Sequence, residues 1–171
     1  MGGNQKKWIV GLGMLIGLGV SVGCGGDSAE LVEPNAQSQG YIESFEGYES
    51  WFRMSDETPT LSAQHGGDYI ITYGNELAEN AIEAEEFPFP AGTIVVKEQY
   101  GSPEGSPRTL SVMVKESDQE GDWYWLQTDM DRMVRVMGGE AVEGNVSMCA
   151  GCHGGASDTD RVFLQAYGLA P

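Results

Sequence analysis

Two cysteines three positions apart and a histidine directly after the second, Cys149-Ala150-Gly151-Cys152-His153, form the stretch of this sequence whose chemistry follows most directly from spacing. On a helical turn, residues i and i+3 share one face, about 5–6 Å apart. That spacing sets two thiols over the two vinyl groups on one edge of a haem, to which they add as thioethers, and the adjacent histidine reaches under the ring to ligate iron. A zinc site would want a fourth soft ligand, and the only other histidine, His65, is distant in sequence. The expected cofactor is one covalent haem c, with Cys149 and Cys152 as anchors and His153 as the iron ligand.

The motif stands near the C-terminus. Only 18 residues follow His153, none of them methionine, so an axial methionine downstream of the motif is impossible. A sixth ligand must come from upstream, from His65, Met113, Met130, Met133 or Met137. Otherwise the iron is open and binds or transforms small molecules.

The rest of the chain says where such a site works. Lys6 and Lys7 precede an uncharged, apolar, glycine-rich run, Trp8 to Val22, too short for a membrane span. Residues 1–23 therefore read as a lipoprotein-type signal peptide. It ends at Val22-Gly23, with Ser21 where a leucine is usual, and leaves Cys24 to carry a lipid. Lipidation accounts for the third, odd cysteine and points to the periplasm or cell envelope, with membrane attachment through Cys24. Residues 24–40 are small, polar and aperiodic, a lipid anchor and flexible tether; 41–171 is the folded haem domain. The formal charge is −17, and removing residues 1–23 takes away two lysines and no acid, leaving −19. Such a balance excludes nucleic acid as a partner and binding of the folded domain to anionic lipid. Its plain consequence is solubility; its sharper one is steering of a cationic or basic redox partner.

The elements that must position the motif follow from periodicity. Ile42, Phe45, Glu49 and Phe52 predict an amphipathic helix over 41–54, weakened by Gly47. YIITY at 69–73 suits a strand. Asn75 caps a helix with Leu77, Ala78, Ala81 and Ile82 on its apolar face, ended by Pro88 and Pro90. Strands are expected at 93–100, 108–115, 122–128 and 132–137. In the second of these Leu110, Val112 and Val114 alternate with Ser111, Met113 and Lys115. Helices are expected at 145–151 and 159–167, the latter stopped by Gly168. The fold class is α+β: an antiparallel β-sheet with a few helices and a C-terminal haem motif, unlike the nearly all-helical c-type cytochromes.

Several of these pieces, AGTIVVKEQY at 91–100, LSVMVKES at 110–117, GDWYW at 121–125 and CAGCH followed by DRVFLQAY at 160–167, occur in the order and spacing of the cytochrome P-460 family, which includes cytochrome c′-beta. The chain resembles that family over most of 64–171. The resemblance implies a β-rich homodimer whose five-coordinate haem iron keeps a free distal face, in agreement with the missing downstream methionine. Lys97 matches the lysine that the P-460 branch joins covalently to the haem macrocycle, a link that goes with oxidation of hydroxylamine. The c′-beta branch lacks the link and binds nitric oxide and similar gases. Alternation puts Lys97 on the face of Thr93 and Val95, which leaves open whether that face meets the haem. Two positions depart from the enzyme pattern. Ser111 stands where a distal carboxylate is expected, and a serine is no base near neutral pH. Ile70 or Ile71 stands where the enzymes carry an arginine. Glu98 and Glu116 are the acids left to substitute, although strand-end acids are usually solvated. His65 is either a distal hydrogen-bonding group and proton shuttle or a turn residue at a strand entrance. Trp123, Tyr124, Trp125 and Phe163 read as core or haem-packing residues.

Three accounts result. The first is an exported monohaem c-type cytochrome that binds or oxidises small nitrogen species such as hydroxylamine or nitric oxide, with Lys97, Ser111 and His65 around the reacting atoms and a redox partner protein to take electrons. The second is an electron-transfer cytochrome with six-coordinate haem. The third is a sensor or scavenger without turnover.

Overall fold

The computed structural model describes residues 30–169; the expected signal peptide 1–23 and Cys24 lie outside them. Strands β1 (Leu31–Val32), β2 (Phe52–Arg53), β3 (Thr60–Ser62), β4 (Asp68–Gly74), β5 (Ile94–Tyr100), β6 (Pro107–Lys115), β7 (Trp123–Asp129), β8 (Val134–Met137), β9 (Glu140–Ala141) and β10 (Glu143–Gly144) are joined with helices α1 (Ala36–Ser44), α2 (Glu76–Ala84) and α3 (Ser147–His153). The sheet runs β1-β8-β7-β6-β5-β4-β2, with β3, β9 and β10 on its margins. Every pairing is antiparallel. This is the α+β architecture expected, and its four central strands, β4 to β7, are the strands expected at 69–73, 93–100, 108–115 and 122–128.

Side chains of a strand point alternately to its two faces, and this sheet uses both. Val96, Leu110, Val112, Val114, Tyr124, Leu126 and Val134 face one way and bury Ile42 of α1 and Phe45 and Tyr48 just beyond it. Val95, Met113, Trp123 and Trp125 face the other way, against α2, α3 and the C-terminal segment through Ala78, Ile82, Cys149, Val162 and Leu164. Lys97 shares this second face with Val95.

Where the structure differs from the periodicity, capping and local torsions decide. The helix expected at 41–54 begins earlier, because the Asn35 side chain accepts from the N–H groups of Gln37 and Ser38. It stops before Gly47, whose φ is +75°, and Phe52 goes instead into a strand opposite Gly74. The expected tether therefore ends before residue 40: Leu31 and Val32 pair with Arg135 and Val134. Asn75 caps α2 as expected, with Ala78, Ala81 and Ile82 buried but Leu77 39% exposed. The expected helix at 159–167 is interrupted, since Asp160 and Arg161 both adopt positive φ, 48° and 72°. Two short 3₁₀ turns, Gly154–Thr159 and Leu164–Tyr167, flank the break.

That break is held by a buried ion pair. Lys115 Nζ lies 2.6 Å from Asp160 Oδ2, the two side chains 0% and 1% exposed. Asp160 also accepts from the N–H groups of Phe89 and Gly121. The Trp123 indole N–H donates to the Asp160 carbonyl at 2.8 Å. Lys115 donates further to the Gln119 carbonyl and lies over the Trp123 ring. A buried pair offsets its desolvation only when its remaining hydrogen-bonding capacity is filled, as it is here. Asp160→Asn, which strands the ammonium, is expected to cost about 3–5 kcal/mol. The double change Lys115→Met/Asp160→Asn should recover part of that loss, with urea denaturation of the two single variants and the double variant giving the coupling.

Candidate functional site

A cavity of about 720 Å³ lies between the second face of the sheet and α3 with the segment after it. Thr72, Lys97, Ser111 and Gln127 stand in register across β4, β5, β6 and β7 and form a row along its floor. The row Val95, Met113 and Trp125 lies toward one end. Cys149, Cys152 and His153 close it from α3, and His65 enters from the 3₁₀ turn Ala63–His65 just before β4. All six residues singled out from the sequence, His65, Lys97, Ser111, Cys149, Cys152 and His153, thus line one cavity.

His153 is prepared as a ligand. Its Nδ1 is 2.7 Å from the Arg161 carbonyl oxygen. A carbonyl can only accept, so Nδ1 carries the proton and donates, leaving Nε2 with its lone pair free for a metal. Trp125 and Phe163 meet the ring edge-on, with centroids 4.8 and 5.2 Å away. Burial lowers the affinity of this imidazole for a second proton; the Arg161 carbonyl opposes and the Lys97 charge assists. Both thiols are free, one helical turn apart at the cavity wall.

Lys97 is 9% exposed. Its Nζ is 3.2 Å from Nε2 of His65, whose Nδ1 is 2.9 Å from Ser62 Oγ. The lysine N–H donates to Nε2, so the His65 proton sits on Nδ1 and is donated to Ser62. Burial lowers the Lys97 amine to about 8, opposed by the charges of Cys152 and Cys149. Burial, assisted by Lys97 and His153, lowers His65 to about 4. The His65 and His153 rings are 6.5 Å apart. His65 does sit at a strand entrance, and it also faces the cavity.

Ser111 Oγ accepts from Gln99 Nε2 at 2.7 Å and Gln127 Nε2 at 2.9 Å, which fills both lone pairs and keeps it from acting as a base. Neither acid named as a substitute reaches the cavity. Glu98 is 4% exposed rather than solvated, but on the opposite face, where it accepts from the hydroxyls of Tyr48, Tyr73 and Tyr100. Glu116 is exposed and binds Gln37 and Tyr41. Ile71 packs in the far core. Met113 and Met137 line the cavity, whereas Met130 and Met133 are not among its walls. Trp123 is core and Tyr124 faces away, while Trp125 and Phe163 pack on His153. Sequence reasoning missed Thr72, hydrogen-bonded to the Tyr167 hydroxyl at 2.9 Å, and Gln99, Gln127 and Arg135. The first and third follow from strand register once Lys97 and Ser111 are placed opposite each other.

A soft anchor pair, a neutral imidazole with a free Nε2, and an apolar wall suit one flat, metal-bearing macrocycle, and the residues present fit a haem. The family model described as cytochrome P460 matches residues 45–164, a span that contains His65, Lys97, Ser111, Cys149, Cys152 and His153. No curated protein matches the chain. The His65 environment also yields a pH dependence. The unfolded histidine takes up a proton near 6.5, while the folded one resists until about 4. Relative to His65→Gln, the wild type should therefore lose stability as pH falls through that window and show no difference in slope above it, as read from urea midpoints at pH 7 and pH 5.

Proposed function

Because the chain belongs to the cytochrome P460 family, and so is a haem cytochrome, we propose that it binds or oxidises small nitrogen species, hydroxylamine or nitric oxide, at one covalently attached haem c. In this reading Cys149 and Cys152 are the thioether anchors, and His153 ligates iron through Nε2. The observation that carries it is the convergence of a buried amine, Lys97, and a neutral imidazole, His65, on the cavity that His153 faces. A site serving electron transfer alone has no need of the buried Lys97 amine. The haem supplies a redox-active iron that accepts electrons and binds small ligands; the chain supplies what surrounds it. Trp125 and Phe163 hold His153 and exclude water. Ser111 donates a hydrogen bond from a hydroxyl fixed by two glutamines. His65 Nε2 is unprotonated and holds the Lys97 N–H, so it takes a proton from an N-hydroxy substrate only where that N–H turns away, and Ser62 accepts from Nδ1 to hold the tautomer.

Lys97 is the candidate third attachment to the macrocycle. Bonding its nitrogen to a ring carbon replaces one N–H and one C–H and releases two protons and two electrons, so the step needs an oxidant such as a peroxide. An amine with a pKa of about 8 keeps roughly a tenth of its population deprotonated and nucleophilic at pH 7, far more than an ordinary lysine. Export by residues 1–23, lipidation of Cys24 in the periplasm or cell envelope, homodimer assembly and electron delivery to a redox partner protein complete the proposal. The basic and apolar N-terminal pattern and the odd cysteine support export and lipidation, the strongly acidic charge supports a basic redox partner, and the family resemblance supports the homodimer.

A second reading has one observation in its favour. With their rings 6.5 Å apart in one cavity, His153 and His65 could both ligate the iron, giving a six-coordinate electron-transfer cytochrome. The optical spectrum of the purified, reduced protein separates the readings. A broad, strongly red-shifted ferrous Soret band that disappears in Lys97→Leu is expected for the linked haem. An ordinary high-spin spectrum would remove the link and leave a gas-binding site. Carbon monoxide should bind ferrous wild type at once. Sharp low-spin bands, with slow binding that His65→Ala accelerates, would establish the six-coordinate form. Cys149→Ser/Cys152→Ser should yield protein whose haem is extracted by acidified acetone.

A further inference from the structure

The cavity changes character along the strands. Where α3 delivers Cys149, the sheet presents Val95, Met113 and Trp125, all apolar. Four residues further along, a distance of about 13 Å at 3.3 Å per residue, the same face presents Gln99 and Thr109, joined by Arg108 and by Arg135 from β8. Two arginines on one wall are a large share of the basic residues in a chain with nine lysines and arginines against 26 acids.

The two are not equivalent. Arg108 is 60% exposed and its charge is matched by Asp68 at 2.7 Å. Arg135 donates to Thr109 Oγ1 at 2.9 Å. Its Nε, however, is buried with no hydrogen-bond partner, and among the described residues no carboxylate pairs with it. An unmet buried donor costs about 1–3 kcal/mol, and more on a charged group. A guanidinium offers a planar fork that fits a carboxylate. The Arg135 end of the cavity is therefore complete only when an acceptor oxyanion enters it.

We infer that Arg135 receives a propionate carboxylate of the haem. This rests on the haem reading above, and it adds the opposite end of the same cofactor. Thioethers form on the vinyl edge of a porphyrin and the propionates leave the edge across from it. Anchoring at Cys149, packed against the apolar end, and at Cys152 one helical turn on turns the propionates toward Gln99, Thr109 and Arg135. Thr109 fixes the guanidinium through Nη1, so Arg135 partly cancels the negative field of the propionate at the iron and favours the ferrous state.

Potentiometric titration of the full-length haem-loaded protein, in a chloride buffer free of other anions, tests this. Arg135→Gln should lower the midpoint potential, Arg135→Lys should retain most of it, and Arg108→Gln/Asp68→Asn, which removes a matched ion pair and no net charge, should leave it unchanged. Thr109→Val, which frees Nη1 alone, should produce a smaller fall and serves if Arg135→Gln does not load haem. An unchanged potential in both Arg135→Gln and Thr109→Val, with haem normally attached, would overturn the assignment. So would an unchanged potential accompanied by weaker binding of added nitrite, which would make Arg135 a site for a free oxyanion. Wild type that purifies without haem would strike at the haem reading instead.

Discussion

What faces the cavity from the C-terminal side depends on how the turn at Asp160 and Arg161 is held. Two consecutive non-glycine residues with positive φ cost of order 1–2 kcal/mol each, and the local bonds from the Asp160 N–H to the Ser157 carbonyl and the Arg161 N–H to the Ala156 carbonyl are one part of what offsets it. The Lys115–Asp160 pair adds to this from a distance, with Phe89, Gly121 and Trp123 hydrogen-bonded to the same residue. The return is positional. Because Asp160 is pinned to the end of β6, the next carbonyl, that of Arg161, is aimed at Nδ1 of His153. The tautomer of the His153 imidazole is thus set by a chain of contacts that begins in the sheet. The Arg161 guanidinium reaches back to the Ala150 carbonyl and ties α3 to the same turn.

The sheet supplies the other half of the site by using its two faces differently. Leu110 and Val112 sit in a closed apolar core, while Ser111 and Met113, one residue away, face a cavity. β5 carries the extreme case. Lys97 points into the cavity and Glu98 into the core, where burial and then the carboxylate push the phenols of Tyr48 and Tyr100 well above their usual range. Each charged group is buried, and each has hydrogen-bonding partners on its own side only.

Much of this was legible in the residues. The Cys149–His153 spacing singled out residues that line the cavity together, the strand-like runs placed the central strands, and Asn75 marked its helix. The family implied by AGTIVVKEQY, LSVMVKES and CAGCH is the one whose model matches. The misses have physical causes. Ile42 and Phe45 are at helical spacing with Glu49 and Phe52, but a left-handed Gly47 interrupts the path, and periodicity carries no record of a torsion. The helix expected through 159–167 fails because Asp160 answers to Lys115, which is distant in sequence. Glu98 looked like a solvated strand-end acid because its three tyrosines come from separate segments. That His65 meets Lys97, and that Arg135 joins the same wall, depends on strand register and loop path, which no local pattern encodes.

The adjacency of Lys97 and Glu98 bears on how such a protein can change over evolutionary time. Inserting or deleting a single residue within β5 would exchange the two faces, driving a carboxylate into the cavity and an ammonium among the tyrosines. Point substitution leaves that arrangement standing. New chemistry in this scaffold is therefore open to replacement at positions such as 97 and 111 and closed to length variation in the strand that carries them, so that length changes are confined to connections such as 101–106.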